Sequence, residues 1–310
     1  MFSPSEFMII PFDDWVNVLV RDWIVPNFRP LFRALQVPVS MVLAWLDTLF
    51  NAVPMLVFTA LLALAAWRTA GRGMAIFAVA SLFFIDMIGL WPETMTTLSM
   101  IVTSVLFCVV LGIPLGILAA RSNRVLAVVR PVLDIMQTVP SFVYLVPIVM
   151  LFGVGMAPGI IATIIFALPP IVRLTNLGIR NVRADLIEAA EAFGSTGWQM
   201  LWNVQLPLAM RTIMAGLNQT LMLALSMVVI TSMIGAGGLG LTVYTGLGRL
   251  DVGGATAGGV GIVLLAIILD RITQGLGEAN GVRTVSLRQT LVTFFRRRAP
   301  VSAGEVQRAS

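Results

Sequence analysis

The stretch 94–120 reads TMTTLSMIVTSVLFCVVLGIPLGILAA and has no charged side chain over 27 residues. A helix of about 20 apolar residues is long enough to cross the hydrocarbon core of a bilayer. The whole chain of 310 residues is similar in character, with 58% hydrophobic and 11% charged residues. A soluble domain cannot hide that much apolar surface. The sequence therefore predicts an all-α, polytopic membrane protein.

Further apolar runs on both sides of this stretch predict about seven transmembrane helices. The predicted spans are 51–67, 74–91, 94–120, 134–155, 158–175, 211–234 and 254–272. Interior prolines at Pro114, Pro140 and Pro147 indicate kinked helices. The chain then divides into an external N-terminal segment at 1–50, a transmembrane domain at 51–275 that includes a long loop at 176–210, and an Arg-rich tail at 276–310.

The arginines predict the orientation. Sixteen of the 20 arginines lie in every second connection between the predicted spans or in the C-terminal tail, all on the same side of the membrane. The positive-inside rule therefore puts the N-terminus outside and the C-terminus in the cytoplasm. Trp15, Trp23 and Trp45 predict that the N-terminal segment is interfacial, lying on the outer leaflet. A tail without fixed structure is the alternative. For the C-terminal tail, topological anchoring or attraction to anionic lipid is a sufficient explanation.

The residues that are missing exclude several functions. All 20 basic residues are Arg, and without Lys the chain cannot form the phosphate-binding loop of an ATPase. With no His and one Cys, it lacks the usual metal sites, catalytic triads and proton relays. We therefore expect no catalytic residue, no metal and no cofactor in this chain. Its arginines are spread along an apolar chain, which argues against nucleic acid as a partner.

The loop 176–210 is the only long cytoplasmic connection, and its sequence predicts two short helices. Asp185 and Glu188 form a box-like start, Gly194 supplies a stop, and Thr196 with Gln199 forms a second capping box. The apolar stripe of the first helix comprises Leu186, Ala189, Ala190 and Phe193. Such a helix needs either a partner surface or a place on its own membrane domain, and the pattern leaves both open.

The amino-acid sequence of this loop resembles a known family motif. Glu188-Ala189-Ala190, then Gly194, then Leu206-Pro207, with Val204 in place of Ile, resembles the signature of permease subunits of bacterial ATP-binding-cassette importers. The runs 134–147, 216–226 and 249–251 are similar to the glycine betaine/proline betaine (ProW-like) permeases, and also to choline permeases of that family. The similarity extends from about residue 10 to residue 277.

The resemblance implies a type I importer permease fold in a bacterial inner membrane. It also implies a homodimer, two cytoplasmic ATPase subunits docked on the loop through the signature residues, and a periplasmic substrate-binding protein. The substrate would be glycine betaine, proline betaine or a choline-type osmoprotectant. The rival hypothesis is an ion-gradient-driven secondary transporter of small zwitterions. Against it stand the lack of His, the few carboxylates within spans and the absence of an evident inverted repeat.

Two further sets of residues have competing interpretations. Neutral polar and aromatic side chains in the fourth and sixth spans suit a passage for a desolvated zwitterion, but also serve as hydrogen bonds between helices. The candidates are Gln137, Thr138, Phe142, Tyr144, Asn218, Gln219 and Met222. The run 235–240 matches G-x-G-x-x-G, yet it follows a predicted membrane helix, which favours a flexible external gate or contact loop over a dinucleotide site.

Overall fold

The computed structural model describes residues 14–15 and 18–279, and within these ranges the chain has helices and no strands. Most of the predicted 276–310 tail and the first residues of the N-terminal segment lie outside the described residues. The helices after a π-helical turn at Val18–Ile24 are α1 Val25–Ala52, α2 Met55–Ala70, α3 Arg72–Met87, α4 Trp91–Arg121, α5 Asn123–Thr138, α6 Ser141–Phe152, α7 Met156–Arg180, α8 Ala184–Ala192, α9 Gly197–Met200 with a π-helical continuation at Leu201–Gln205, α10 Leu206–Ser232, α11 Leu239–Gly248 and α12 Val252–Ala279.

Five helical segments of the described chain are long and apolar enough to cross a membrane, which confirms the predicted class. They are Pro30–Ala52, Trp91–Arg121, Met156–Arg180, Gly197–Ser232 and Val252–Gly277. A sixth crossing is possible through α5 and α6, which meet at an angle of 104°. The first two predicted spans form α2 and α3, each of 16 residues, or about 24 Å at 1.5 Å per residue. They are shorter than predicted because α1 ends at Ala52 and Gly71 separates α2 from α3.

Helix α7 is the centre of the bundle and packs most extensively against α10 and α4. Small residues allow this close approach. A Cβ atom on Gly116 of α4 would lie 2.5 Å from the Cβ of Thr175, and one on Gly216 of α10 would lie 3.0 Å from the Cβ of Leu174. Without a strong hydrophobic drive between helices in lipid, such backbone approach is a main source of helix association.

The bundle has two distinct ends, which we name the Trp91 end and the Arg121 end after the first and last residues of α4. At the Trp91 end, Gly155 N–H donates to the carbonyl of Ile234 at 2.8 Å, and Leu239 N–H donates to Thr97 Oγ1 at 2.8 Å. The 235–240 run is therefore a tight turn packed on α4, with no βαβ unit around it. It leads into α11, a ten-residue helix that forms a hairpin with α12 and that the sequence analysis did not predict.

Helix α1 contacts the bundle mainly near the Trp91 end. The Phe32 ring lies 5.3 Å from the ring of Phe152, at the last residue of α6. Eighteen residues further on, the Phe50 ring lies 5.9 Å from that of Phe58, which itself lies 5.8 Å from the Trp91 ring. Its buried face comprises Val39, Leu43 and Leu46. Both ends of this long helix thus reach residues at one end of the bundle.

Candidate functional site

The loop 181–205 projects from the Arg121 end and exposes its apolar side chains. No residue of α8 is buried, and Leu186 and Ala189 are exposed. Phe193, directly after the helix, is 92% exposed. A phenylalanine so exposed next to an exposed helix is typical of a surface that binds a partner. The alternative in which the stripe folds back onto the membrane domain is therefore wrong for this chain alone.

Gly194 ends α8 in the way its position in the sequence predicts. Its φ is +78°, and its N–H donates to the carbonyl of Glu191 at 2.8 Å, while Ser195 N–H donates to the carbonyl of Ala190 at 3.0 Å. These two bonds form a Schellman motif, which requires a left-handed residue at this position. The left-handed conformation of Gly194 sets the direction in which the chain leaves α8.

Of the two predicted capping boxes, the second is confirmed and the first is wrong. Thr196 and Gln199 make both bonds of a capping box at the start of α9. At the start of α8 the N-cap residue is Arg183, with no side-chain cap. Asp185 instead accepts from the Arg183 guanidinium at 2.6 and 3.1 Å. The guanidinium two residues earlier competes for the carboxylate that the box would need.

The second half of the signature joins the loop to the membrane domain. Leu206 is buried, and Pro207 lies in the first turn of α10, where the π-helical turn at Leu201–Gln205 continues into the α-helix. Glu188 and Ala189 are exposed, and Ala190 is partly exposed. The signature residues thus divide into an exposed group on α8 and a structural group at the root of α10.

A contact that the sequence analysis missed holds the loop against α4. The guanidinium of Arg121 donates from Nη2 to the carbonyl of Gly197 at 2.5 Å, and its central carbon lies 5.6 Å from the centre of the Trp198 ring. Trp198 in turn makes an edge contact with Trp202 at 5.7 Å. Arg121 lies 76 residues before Gly197 in the sequence, so no local spacing could reveal its contact with the loop.

The candidate pathway residues of α5 and α6 surround the bend at Pro140. Proline has no N–H, so the Met136 carbonyl loses its helical donor. The Tyr144 hydroxyl lies 2.6 Å from the Met136 carbonyl and 3.1 Å from that of Ile135, and so replaces the missing donor. Thr138 bonds back to the same Ile135 carbonyl at 3.3 Å. Phe142 lies just beyond the bend, and its ring is exposed.

Gln137 belongs to a polar link between α5 and α7. Arg173 donates to Gln137 Oε1 and to Asp134 Oδ1, both at 2.6 Å. The link borders a cavity of about 250 Å³ that Arg130 and Asn176 also line. Arg173 is a second residue that the sequence analysis missed, because its partners lie 36 and 39 residues away. Asp134 thus forms a structural ion pair with Arg173.

The candidates on α10 point in two directions. Asn218 faces α12, where it donates to Asp270 Oδ1 at 3.0 Å and accepts from Thr273 Oγ1 at 2.7 Å. Gln219 and Met222 are exposed. A cavity of about 430 Å³ includes Asn218 and Gln219 in its lining but none of the α5 and α6 candidates. This cavity therefore brings together the α10 candidates Asn218 and Gln219 without those of α5 and α6.

Comparisons with known proteins agree with this geometry. The family described as "Binding-protein-dependent transport system inner membrane component" matches residues 112–279. The chain is 57% identical over 283 residues to the glycine betaine/proline betaine transport system permease protein ProW of Escherichia coli, covering 91% of this chain and 80% of that protein. It is 47% identical to the glycine betaine/carnitine transport permease protein GbuB of Listeria monocytogenes, with 87% and 96% covered.

The fold also matches a solved transporter. A chain of the MetNI methionine ABC transporter, in an inward-facing conformation, superposes with a TM-score of 0.54 at 25% identity, and the match covers 63% of this chain and 95% of that one. The exposed loop, the apolar helices and these relatives all point to the same assignment. The chain belongs to the family of binding-protein-dependent transport system inner membrane components, as a multi-pass permease subunit of an ATP-binding-cassette importer.

Proposed function

We propose that this permease imports glycine betaine, proline betaine or choline-type quaternary-ammonium osmoprotectants. The observation that carries the proposal is the 57% identity to ProW of Escherichia coli across 91% of the chain. At such coverage the match includes membrane helices as well as the loop, which supports a substrate path and a coupling surface of the same kind. Membership in the importer family also decides against the rival secondary transporter.

ATP hydrolysis belongs to a separate cytoplasmic subunit, and this chain is not an enzyme. The absence of Lys from the sequence supports this division. We assign docking on the ATPase to the exposed signature residues Glu188, Ala189 and Ala190, with Phe193 beside them. Gly194, Leu206 and Pro207 act by fixing the direction of the loop, since Gly194 closes the Schellman motif and Leu206 is buried.

The working unit is a homodimer in which two copies line the substrate path. Support comes from exposed faces that have no partner within the described part of one chain: Gln219 and Met222 on α10, and Phe142 on α6. Phe142 offers a ring face to a passing trimethylammonium group, and Gln219 offers a neutral polar group. Such a lining attracts a zwitterion without holding it tightly.

The Trp91 end faces the periplasm and the substrate-binding protein, and the Arg121 end faces the cytoplasm. The arginine distribution supports this orientation. The contacts of α1 support an N-terminus outside, because Phe32 and Phe50 both reach residues at the Trp91 end. On this arrangement α1 lies along the periplasmic surface, although Pro30–Ala52 is long and apolar enough to cross.

The test is uptake by proteoliposomes that contain the chain with its ATPase, supplied with loaded binding protein outside. We expect the ATPase to co-purify with the chain, and labelled glycine betaine to accumulate only when ATP is present inside. A hydrolysis-deficient ATPase is the control and should abolish accumulation. Uptake driven by an ion gradient in the absence of ATP, or failure of the ATPase to co-purify, would contradict the proposal.

A further inference from the structure

The loop 181–205 has few ways to pass a movement to the membrane helices. Among the described residues, the main contacts of its first helix, α8, are with the segments that follow it in the same loop. The contact of Arg121 with Gly197 and Trp198 crosses from this loop to a different membrane helix, α4. A movement of the loop can therefore reach α4 directly, without first passing along the backbone into α10.

Arg121 makes two contacts with the loop at once, the hydrogen bond to Gly197 and the stacking on Trp198. We name these two contacts together the Arg121–Trp198 clamp. Arginine has a planar group that can donate a hydrogen bond and lie over an aromatic face at once, and Arg121 does both with adjacent residues of α9. Trp198 is 62% exposed, so its place is not explained by burial in a core. Its edge contact with Trp202 extends the clamp to the π-helical turn that leads into α10.

Helix α4 is suited to carry the movement across the bundle. It is one continuous helix of 31 residues with Pro114 inside it, about 46 Å long at 1.5 Å per residue. Near Arg121 it is tied to α7, because Arg180 donates to the carbonyl of Ala119 at 2.9 Å. The same guanidinium donates to Asn123 Oδ1, at the start of α5, at 2.8 Å. At its other end Thr97 accepts from Leu239 N–H, directly after the 235–238 turn.

We propose that Arg121 is a positioning residue that couples the loop to the Trp91 end of the bundle through α4. Closure of the ATPase subunits moves the loop, the Arg121–Trp198 clamp draws the end of α4 with it, and α4 shifts the turn at 235–238 that packs on Thr97. The residue touches neither substrate nor ATP. This inference rests on the proposed importer function.

The experiment compares variants in the complete reconstituted importer and measures substrate imported per ATP hydrolysed, together with the ATPase that co-purifies. We expect Arg121→Ala to keep a wild-type amount of ATPase and to lower the ratio of import to hydrolysis by at least about fivefold, the scale of a typical coupling free energy. Arg121→Lys should recover part of the ratio, because it keeps the charge and loses the planar group. A loss of folded protein would lower import and hydrolysis together and leave the ratio unchanged.

Arg124→Ala is the matched control. Arg124 is exposed and lies three residues further along, and within the described residues it makes no hydrogen bond or ion pair. Arg124→Ala removes one positive charge from the same region, as Arg121→Ala does. It should leave the ratio of import to ATP hydrolysis at the wild-type value. Trp198→Ala should reproduce the Arg121→Ala effect, and the double variant should be no worse than either single one, because both remove the same contact.

Three outcomes would overturn the inference: a wild-type ratio in Arg121→Ala protein that is present and hydrolyses ATP at the wild-type level, equal losses in Arg121→Ala and Arg124→Ala, or additive losses in the double variant. Loss of ATPase from the Arg121→Ala complex would also overturn it, since the residue would then serve assembly. A different result would contradict the proposed function: a wild-type complex that does not use ATP hydrolysis to import the substrate.

Discussion

Tyr144 shows how one side chain can serve a different purpose from the one its type suggests. As an aromatic residue near a proline it was a candidate for the substrate path, but its hydroxyl bonds the Met136 carbonyl that Pro140 leaves without a donor. The sequence contains both residues, and the proline predicts a kink. The proline does not predict which donor reaches the freed carbonyl of Met136, because that depends on the angle of the bend.

We expect Tyr144→Phe to loosen the bend between α5 and α6. A buried or half-buried carbonyl without a donor costs about 1–3 kcal/mol, so the thermal stability of the purified complex should fall and the import rate should decrease more than the apparent affinity. Tyr244→Phe is the control, since Tyr244 is partly exposed and its hydroxyl makes no hydrogen bond within the described residues. Equal stability and import in the two variants would contradict this role for the Tyr144 hydroxyl.

The elements were predictable where a long apolar run has clear ends. The predicted spans 94–120 and 158–175 correspond to α4 and α7, which are Trp91–Arg121 and Met156–Arg180. Helix α11 was not predicted, because ten residues are too few for a span and its flanking glycines read as a loop. Pro140 gave the position of the α5–α6 break, whereas the 104° angle is set by packing against α7 and α10.

The end of α8 allows a clean test of the loop. Gly194 has a positive φ and open space where a Cβ atom would lie, so a substitution there acts through the backbone conformation and not through a clash. We expect Gly194→Val to cost about 1–2 kcal/mol locally, the penalty of a left-handed conformation, and to lose import while membrane insertion is normal. Gly194→Asn is the control and should retain more import, because Asn adopts the left-handed conformation more readily than Val. If Gly194→Val transports at the wild-type rate, the direction of the chain after α8 does not matter for coupling.

At the scale of the molecule, the topology is open to a labelling experiment. In a Cys108→Ala background, single cysteines at Asn17 and Thr284, both outside the described residues, should react with impermeant reagents from opposite sides, position 17 from the periplasm. The reason is that α1 contacts the bundle at the Trp91 end instead of extending towards the Arg121 end. Reaction of both positions from the cytoplasm would show that α1 crosses the membrane.

The whole molecule also lacks the residues for a tight substrate site. A strong quaternary-ammonium site needs several aromatic faces around one cation, and the chain has two Tyr, one of which bonds the backbone. We expect the reconstituted permease and ATPase, without binding protein, to show no saturable uptake at low micromolar substrate. Micromolar binding of a betaine or choline to the isolated permease would place the selective site in the membrane.

The contact between Phe32 and Phe152 has a consequence for the order of assembly. The two rings meet across 120 residues of chain, and at a synthesis rate of about 5–20 residues per second the second is made roughly 6–24 s after the first. During that interval α1 has no α6 on which to dock. The part of α1 around Phe32 therefore gains this contact late, although α1 packs more extensively on α4, which is made earlier. Nascent chains released before Phe152 should carry the Phe32 region accessible to proteases that the finished permease resists.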